Sequence, residues 1–254
     1  MIKILKISAL IALIICITGC SFFSTSWGAG LKRDNVAGLS KLSVDDLALL
    51  LSDPEYLSDP ESSGDLLGAL GTKTTEEIQG LSQEDKESIL VLTVAAGVPI
   101  SVIAQIIEQG EDVDLGSTLS QLVSNSGDID VTAAAAVLTD TETLEEADPT
   151  VIAAAALTIF IQVAADETEG SENPEQAAND FLDMITETIT DSTPESSAED
   201  IVDQMIHDGS ISEESKEDMI AIITAMQVLS GTSSTGIDRS GDFDEGFDFG
   251  SLLS

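Results

Sequence analysis

Polar capping residues followed by short apolar runs recur from residue 43 to residue 230. Ser43-Val44-Asp45-Asp46 opens a run through Leu51, and Ser82-Gln83-Glu84-Asp85 opens another from Ile89. Ser212-Glu213-Glu214-Ser215 precedes Met219, Ile222, Ile223 and Met226, which share one helical face. Each pattern offers an oxygen to the orphan amides of a first turn and sets carboxylates where the helix dipole favours negative charge. Phe181, Ile185 and Ile189 form a stripe at i, i+4 and i+8, and Ile201 and Met205 form another. Pro54, Pro60, Pro99, Pro149, Pro174 and Pro194 mostly mark breaks or first turns, where the missing N–H is tolerated. Strict two-residue alternation is hard to find. The pattern predicts an all-α domain over residues 42–230, a helical bundle or short superhelix of about eight to eleven helices.

Two segments are apolar nearly all round: Ile89 to Ile107, broken at Gly97-Val98-Pro99, and Val151 to Ala165. The first is interrupted and the second is too short for a membrane span, which takes about 20 residues. Helices without a polar face belong in a core. Val131-Thr132-Ala133-Ala134-Ala135-Ala136-Val137-Leu138 resembles Val151-Ile152-Ala153-Ala154-Ala155-Ala156-Leu157 at a spacing of about twenty. Stacked hairpins of a solenoid would give this likeness, and so would two alanine-rich helices selected for close packing. Both readings stay open.

The N-terminus has a different pattern. Lys3 and Lys6 precede Ile7 to Ile17, an apolar stretch broken only by Ser8, and Ile17-Thr18-Gly19-Cys20 follows. The apolar stretch fits the hydrophobic region of a secretory signal. Residues 1–20 resemble a bacterial lipoprotein signal peptide, with Ile17-Thr18-Gly19-Cys20 as its lipobox. The resemblance implies removal of residues 1–19, diacylglycerol on the Cys20 sulfur and an acyl chain on its amine. Two or three chains on one residue anchor stably where a single chain is marginal. Cys16 would leave with the signal and Cys20 would be acylated, so no thiol remains for a disulfide, a nucleophile or a metal. Ser21 stands where Asp would favour inner-membrane retention, so the sorting rule of such lipoproteins favours the outer membrane, leaving open which face is exposed.

Residues 20–41 read as a lipidated, flexible tether. Phe22, Phe23 and Trp27 suit the membrane interface, and Lys32, Arg33 and Lys41 suit anionic headgroups, while an ordinary linker explains the same composition. Residues 231–254 read as a disordered acidic tail in which Phe243, Phe247 and Phe249 alternate with Asp and Glu. That alternation resembles segments that dock through their aromatics, and the three Phe are the candidate contacts with a protein partner in the envelope.

Composition sharpens this picture. There are 9 Lys+Arg against 47 Asp+Glu, for a formal net charge of -38. Nucleic-acid binding is excluded for want of clustered cations. Aromatic residues are only 4% of the chain against 43% hydrophobic, so the core has to be aliphatic. The 129 residues between Lys86 and Lys216 contain no Lys or Arg, which rules out salt bridges to cations within that stretch. Self-repulsion of this size keeps proteins soluble at a cost to the compact state, and salt relieves it. A saline habitat, solubility and a basic partner are all consistent with the acidity.

Catalytic chemistry is sparse. Gly64-Asp65-Leu66-Leu67-Gly68 has neither the spacing nor the Lys of a phosphate-binding loop. His207 is the only histidine, which removes His-based triads, and its place before Gly209 suits the last turn of a helix better than a shared metal ion with Asp203. Carboxylate pairs are too common to be informative, and tyrosine and tryptophan occur once each, too few for sugar platforms. Acidic loops at Glu111-Asp112-Val113-Asp114, Asp128-Ile129-Asp130 and Asp238 to Asp248 attract divalent cations loosely but lack the helix–loop–helix calcium register. The expectation is a non-enzymatic, lipid-anchored envelope protein with a binding or scaffolding domain, no cofactor and no resident metal. The alternative is an acidic, cation-binding surface protein or adhesin.

Overall fold

The computed structural model describes residues 36–53, 56, 59–97, 122–123, 129–168, 171, 173–191, 196–230 and 237. Among these residues the chain is all-α, with no strand. A single turn, α1 (Val36–Leu39), is followed by α2 (Val44–Leu51), α3 (Pro60–Gly71), α4 (Thr75–Gln79) and α5 (Gln83–Gly97). Beyond residue 129 come α6 (Thr132–Leu138), α7 (Thr141–Glu146), α8 (Pro149–Glu167), α9 (Pro174–Asp191), α10 (Ala198–His207) and α11 (Lys216–Ser230).

Local chemistry sets the boundaries. Ser43 accepts from the Asp46 amide at 3.2 Å and Ser82 from the Asp85 amide at 3.2 Å, as the capping signals predict. Asp59, Thr74, Asp148 and Ser197 cap α3, α4, α8 and α10 in the same way, and Thr74 with Glu77 completes a reciprocal capping box. Pro60, Pro149 and Pro174 are the first residues of their helices. α10 ends where Gly209, at φ 74, donates to Ile206 O and Ser210 donates to Met205 O, closing the last turn through a left-handed residue.

The short helix α6 lies at the meeting of several helices. It touches α3, α4, α5, α7, α8 and α11, and Ala133 through Leu138 are all buried. Four consecutive alanines let several neighbours approach one axis closely. α8 is long and apolar enough to cross a membrane, yet it packs against α5, α6, α9 and α11 with most of its surface covered. Its most extensive partner is α11, through whose buried face run Met219, Ile222 and Ile223. Phe160 of α8 meets Phe181 of α9 with ring centroids 5.7 Å apart. Two buried threonines in this aliphatic interior are satisfied within their own helices: Thr158 donates to Ala154 O and Thr93 to Ile89 O, both at 2.9 Å.

Two observations shift the expected borders of the domain. α1 lies in the stretch read as tether and packs against α3, while the Lys73 ammonium donates to Ser40 O and Leu42 O at 2.9 and 2.7 Å beyond its end. Ile237, in the stretch read as a disordered tail, is buried with the core. An isolated apolar residue among Gly, Ser and Thr carries no periodicity, which is why the pattern placed it outside. The two alanine-rich segments touch each other as α6, of 7 residues, and α8, of 19.

Gly97 marks the tightest crossing. A Cβ there would overlap Thr158 Cγ2 and fall 2.8 Å from Ile129 Cδ1. Helix propensity alone makes Gly→Ala favourable by about 1 kcal/mol, but overpacking a filled interior costs about 1–3 kcal/mol. We therefore expect Gly97→Ala to lower stability in denaturant unfolding, and Thr158→Ser in that background to recover part of the loss. Unchanged or raised stability would show that the α5–α8 crossing has slack.

Candidate functional site

Cys20, Phe243, Phe247 and Phe249 lie outside the described residues, as do the acidic loops at 111–114 and 238–248 and Asp128. Within the described residues, the chemistry gathers at three polar clusters.

The first is a buried ion pair. Lys86 lies on the α5 face shared by Ile89, Leu90 and Thr93, and its side chain is only 3% exposed. Its ammonium reaches Asp140, the residue before α7, at 2.5 Å. Thr143 on α7 donates to the same carboxylate at 2.8 Å. Burial pushes the Asp140 carboxyl up, but hydrogen bonds from Lys86 and Thr143, the Lys86 charge and the Glu142 amide together outweigh it and hold the group below the usual carboxylate range. Gln83 Oε1 stands 3.2 Å from the Thr143 hydroxyl, while its buried Nε2 has no partner. A hydroxyl has one proton, and here Asp140 takes it. Turning the Gln83 amide over lets Nε2 donate to Thr143 Oγ1, so that the Thr143 hydroxyl can give its single proton to Asp140. The cluster pins α5 to α7 at the edge of the core and lacks the open face a ligand needs.

The second cluster builds the approach to α11. Glu167, the last residue of α8, accepts from the Ser212 amide at 2.9 Å, from the Ser212 hydroxyl at 2.6 Å and from the Ser215 hydroxyl at 2.5 Å. Burial raises its carboxyl, but these serine hydrogen bonds outweigh that and leave it below its ordinary value. Ser212, expected from sequence as the cap of this helix, does bond the Ser215 amide at 3.4 Å, but the helix starts at Lys216 and its approach is held mainly by a carboxylate 45 residues earlier in the chain. The third cluster surrounds Asp218 on the first turn of α11, where Asp130 and Asp166 are its acidic neighbours.

The remaining candidates resolve simply. His207 occupies the exposed last turn of α10, where a cation complements the helix dipole. Asp203, one turn earlier, pairs with Lys216 of α11 at 2.7 Å, which together with dipole complementation accounts for both residues. Among the described residues, no three His, Cys, Asp or Glu side chains are grouped to hold a metal ion. Asp130, read as a helix-start residue, accepts from the Thr132 amide at 3.0 Å.

Lys86→Met should lower stability by about 2–4 kcal/mol, toward the low end of buried-pair losses because Asp140 is 17% exposed. Lys86→Met with Asp140→Asn should lose less than Lys86→Met alone. Because Asp140 has its carboxyl value lowered by folding, its contribution is full at neutral pH and fades as the pH falls below about 4. Denaturant unfolding at two pH values checks this, and an undiminished midpoint in Lys86→Met would contradict it. Compared with protein-family models, curated proteins and solved structures, the chain matches none.

Proposed function

We propose that this chain is a lipid-anchored protein of the bacterial cell envelope whose acidic helical domain works as a non-enzymatic binding or scaffolding module. The observation that carries the reading is Ile17-Thr18-Gly19-Cys20 directly after an apolar stretch flanked by Lys3 and Lys6. Cys20 bears the lipid, the segment that follows spaces the domain from the bilayer, and Ser21 directs the protein to the outer membrane. A surface dominated by carboxylates is held off anionic headgroups by repulsion, so the domain projects from the membrane instead of lying on it.

Contact with an envelope partner is assigned to Phe243, Phe247 and Phe249. Support comes from both sides of the comparison. Leu49 is the one large apolar side chain exposed among the described residues, so that surface presents little for an apolar partner to grip. Three of the seven Phe, by contrast, stand among carboxylates within residues 243–249.

Crosslinking in intact envelopes tests this, with three versions of the chain: the full sequence, Cys20→Ser, and one lacking residues 241–254. The full chain should fractionate with membranes and crosslink to a defined envelope protein. Cys20→Ser should leave the membrane fraction, and removal of 241–254 should abolish the crosslink while the helical circular dichroism is retained. Membrane retention of Cys20→Ser would overturn the anchor, and an unchanged crosslink without the tail would overturn the Phe assignment.

A further inference from the structure

α3 ends at Gly71, α4 begins at Thr75, and Lys73 stands in the joint between them. Its backbone is fixed from both sides. The Lys73 amide donates to Leu70 O at 2.9 Å, Thr72 Oγ1 donates to Ala69 O at 2.7 Å, and Thr74 opens the capping box of α4. From this joint the ammonium reaches back 33 and 31 residues, to Ser40 O at 2.9 Å and Leu42 O at 2.7 Å. Bonds from a charged donor are roughly twice as strong as neutral ones.

The segment held in this way is thin. α1 is a single turn of 4 residues, too short to persist as a helix on its own. It packs against α3, and Leu39 and Leu42 are only partly buried against the core. α2 is different: Leu47, Leu50 and Leu51 are almost completely buried, and the helix packs against both α3 and α5. Its start is also made from its own residues, since Ser43 Oγ accepts the Asp46 amide and Ser43 O accepts the Leu47 amide at 3.0 Å. Detachment that begins at residue 36 therefore meets the Lys73 bonds first and has a natural stop at Ser43.

We infer that residues 36–42 are a releasable strap and that Lys73 is its latch. Closed, the strap docks on α3 and the domain begins at residue 36; open, the domain begins at Ser43 with its core intact. Segments with few buried apolar contacts open at a fraction of the free energy of global unfolding. Extended at about 3.3–3.6 Å per residue, the strap adds up to about 25 Å of reach. In the lipid-anchored reading, on which this use of the strap rests, that is extra distance between bilayer and domain, released when the anchored chain is pulled. Gly38 gives a way to tighten the strap. Nothing lies within 4 Å of where its Cβ would stand, so Gly38→Ala strengthens α1 without disturbing its docking.

Trypsin reads the latch on the full chain, because its sites are few. Lys41 is exposed inside the strap, whereas cuts at Lys86 and Lys216 report opening of the core. Under brief digestion followed by mass analysis, the native protein should be cut slowly after Lys41 with Lys86 and Lys216 intact. Lys73→Met should be cut there at least about tenfold faster, with helical circular dichroism retained. Amide exchange over residues 36–42 should rise with it while α2 stays protected. Gly38→Ala should slow the cut by about fivefold. Equal rates for the native chain and Lys73→Met, or a cut after Lys41 that comes only together with cuts at Lys86 and Lys216, would overturn the inference. Should Lys73→Met not fold, Gly38→Ala carries the test, and an unchanged rate there overturns it. The cutting rates need no membrane. Failure of the anchor is read instead from membrane retention of Cys20→Ser, which should be cut at the native rate.

Discussion

Between Lys86 and Lys216 every carboxylate has to be housed without a Lys or Arg from its own stretch of chain, and the architecture follows from that constraint. Helices satisfy it well. Their N-termini provide amides and a positive dipole end for acidic residues, which is where Asp148 caps α8 and Glu199 and Asp200 form the first turn of α10. Serine and threonine hydroxyls do work that arginine does elsewhere, as Ser212 and Ser215 on Glu167 and Thr143 on Asp140 show. The interior is then left to Ala, Leu, Ile and Val, and it has to be packed closely because little else opposes the repulsion outside. The alanines of α6 and the glycine at the α5–α8 crossing are the means of that packing.

The two cations that flank the stretch are used at tertiary contacts. Lys86 is buried against Asp140, and Lys216 joins α11 to α10 through Asp203. The buried pair is the more demanding of the two, since each partner would be costly to leave alone. Its presence explains the hydrogen-bonded side chains around it: Thr143 and Gln83 complete a polar chain that an aliphatic core would otherwise expel.

Much of this was legible in the residues. The caps at Ser43 and Ser82, the first-turn prolines, the stripe through Met219, Ile222 and Ile223, and the placement of His207 before Gly209 all follow from local rules of spacing and capping. In the sequence Lys86 stands out only as one end of the cation-free stretch, and nothing local marks it as needing a buried partner. The identity of that partner was not legible, since Asp140 is 54 residues away and differs in no local respect from other helix-start acids. The same holds for Glu167, an ordinary carboxylate until α8 and the approach to α11 converge on Ser212 and Ser215. The proposed anchor is the reverse case: it rests on the sequence around Cys20, which lies outside the described residues.

The central claim is that close aliphatic packing holds this domain against the mutual repulsion of its carboxylates. The most direct measurement is the unfolding temperature at neutral pH in sodium chloride from about 0.05 M to about 1 M, a range that contracts the Debye length to about 3 Å. The account predicts a steady rise of several degrees that is matched by potassium chloride at equal ionic strength. An unfolding temperature that stays flat or falls with salt would contradict it, because the carboxylates would then have to be compensated by interactions that screening cannot relieve.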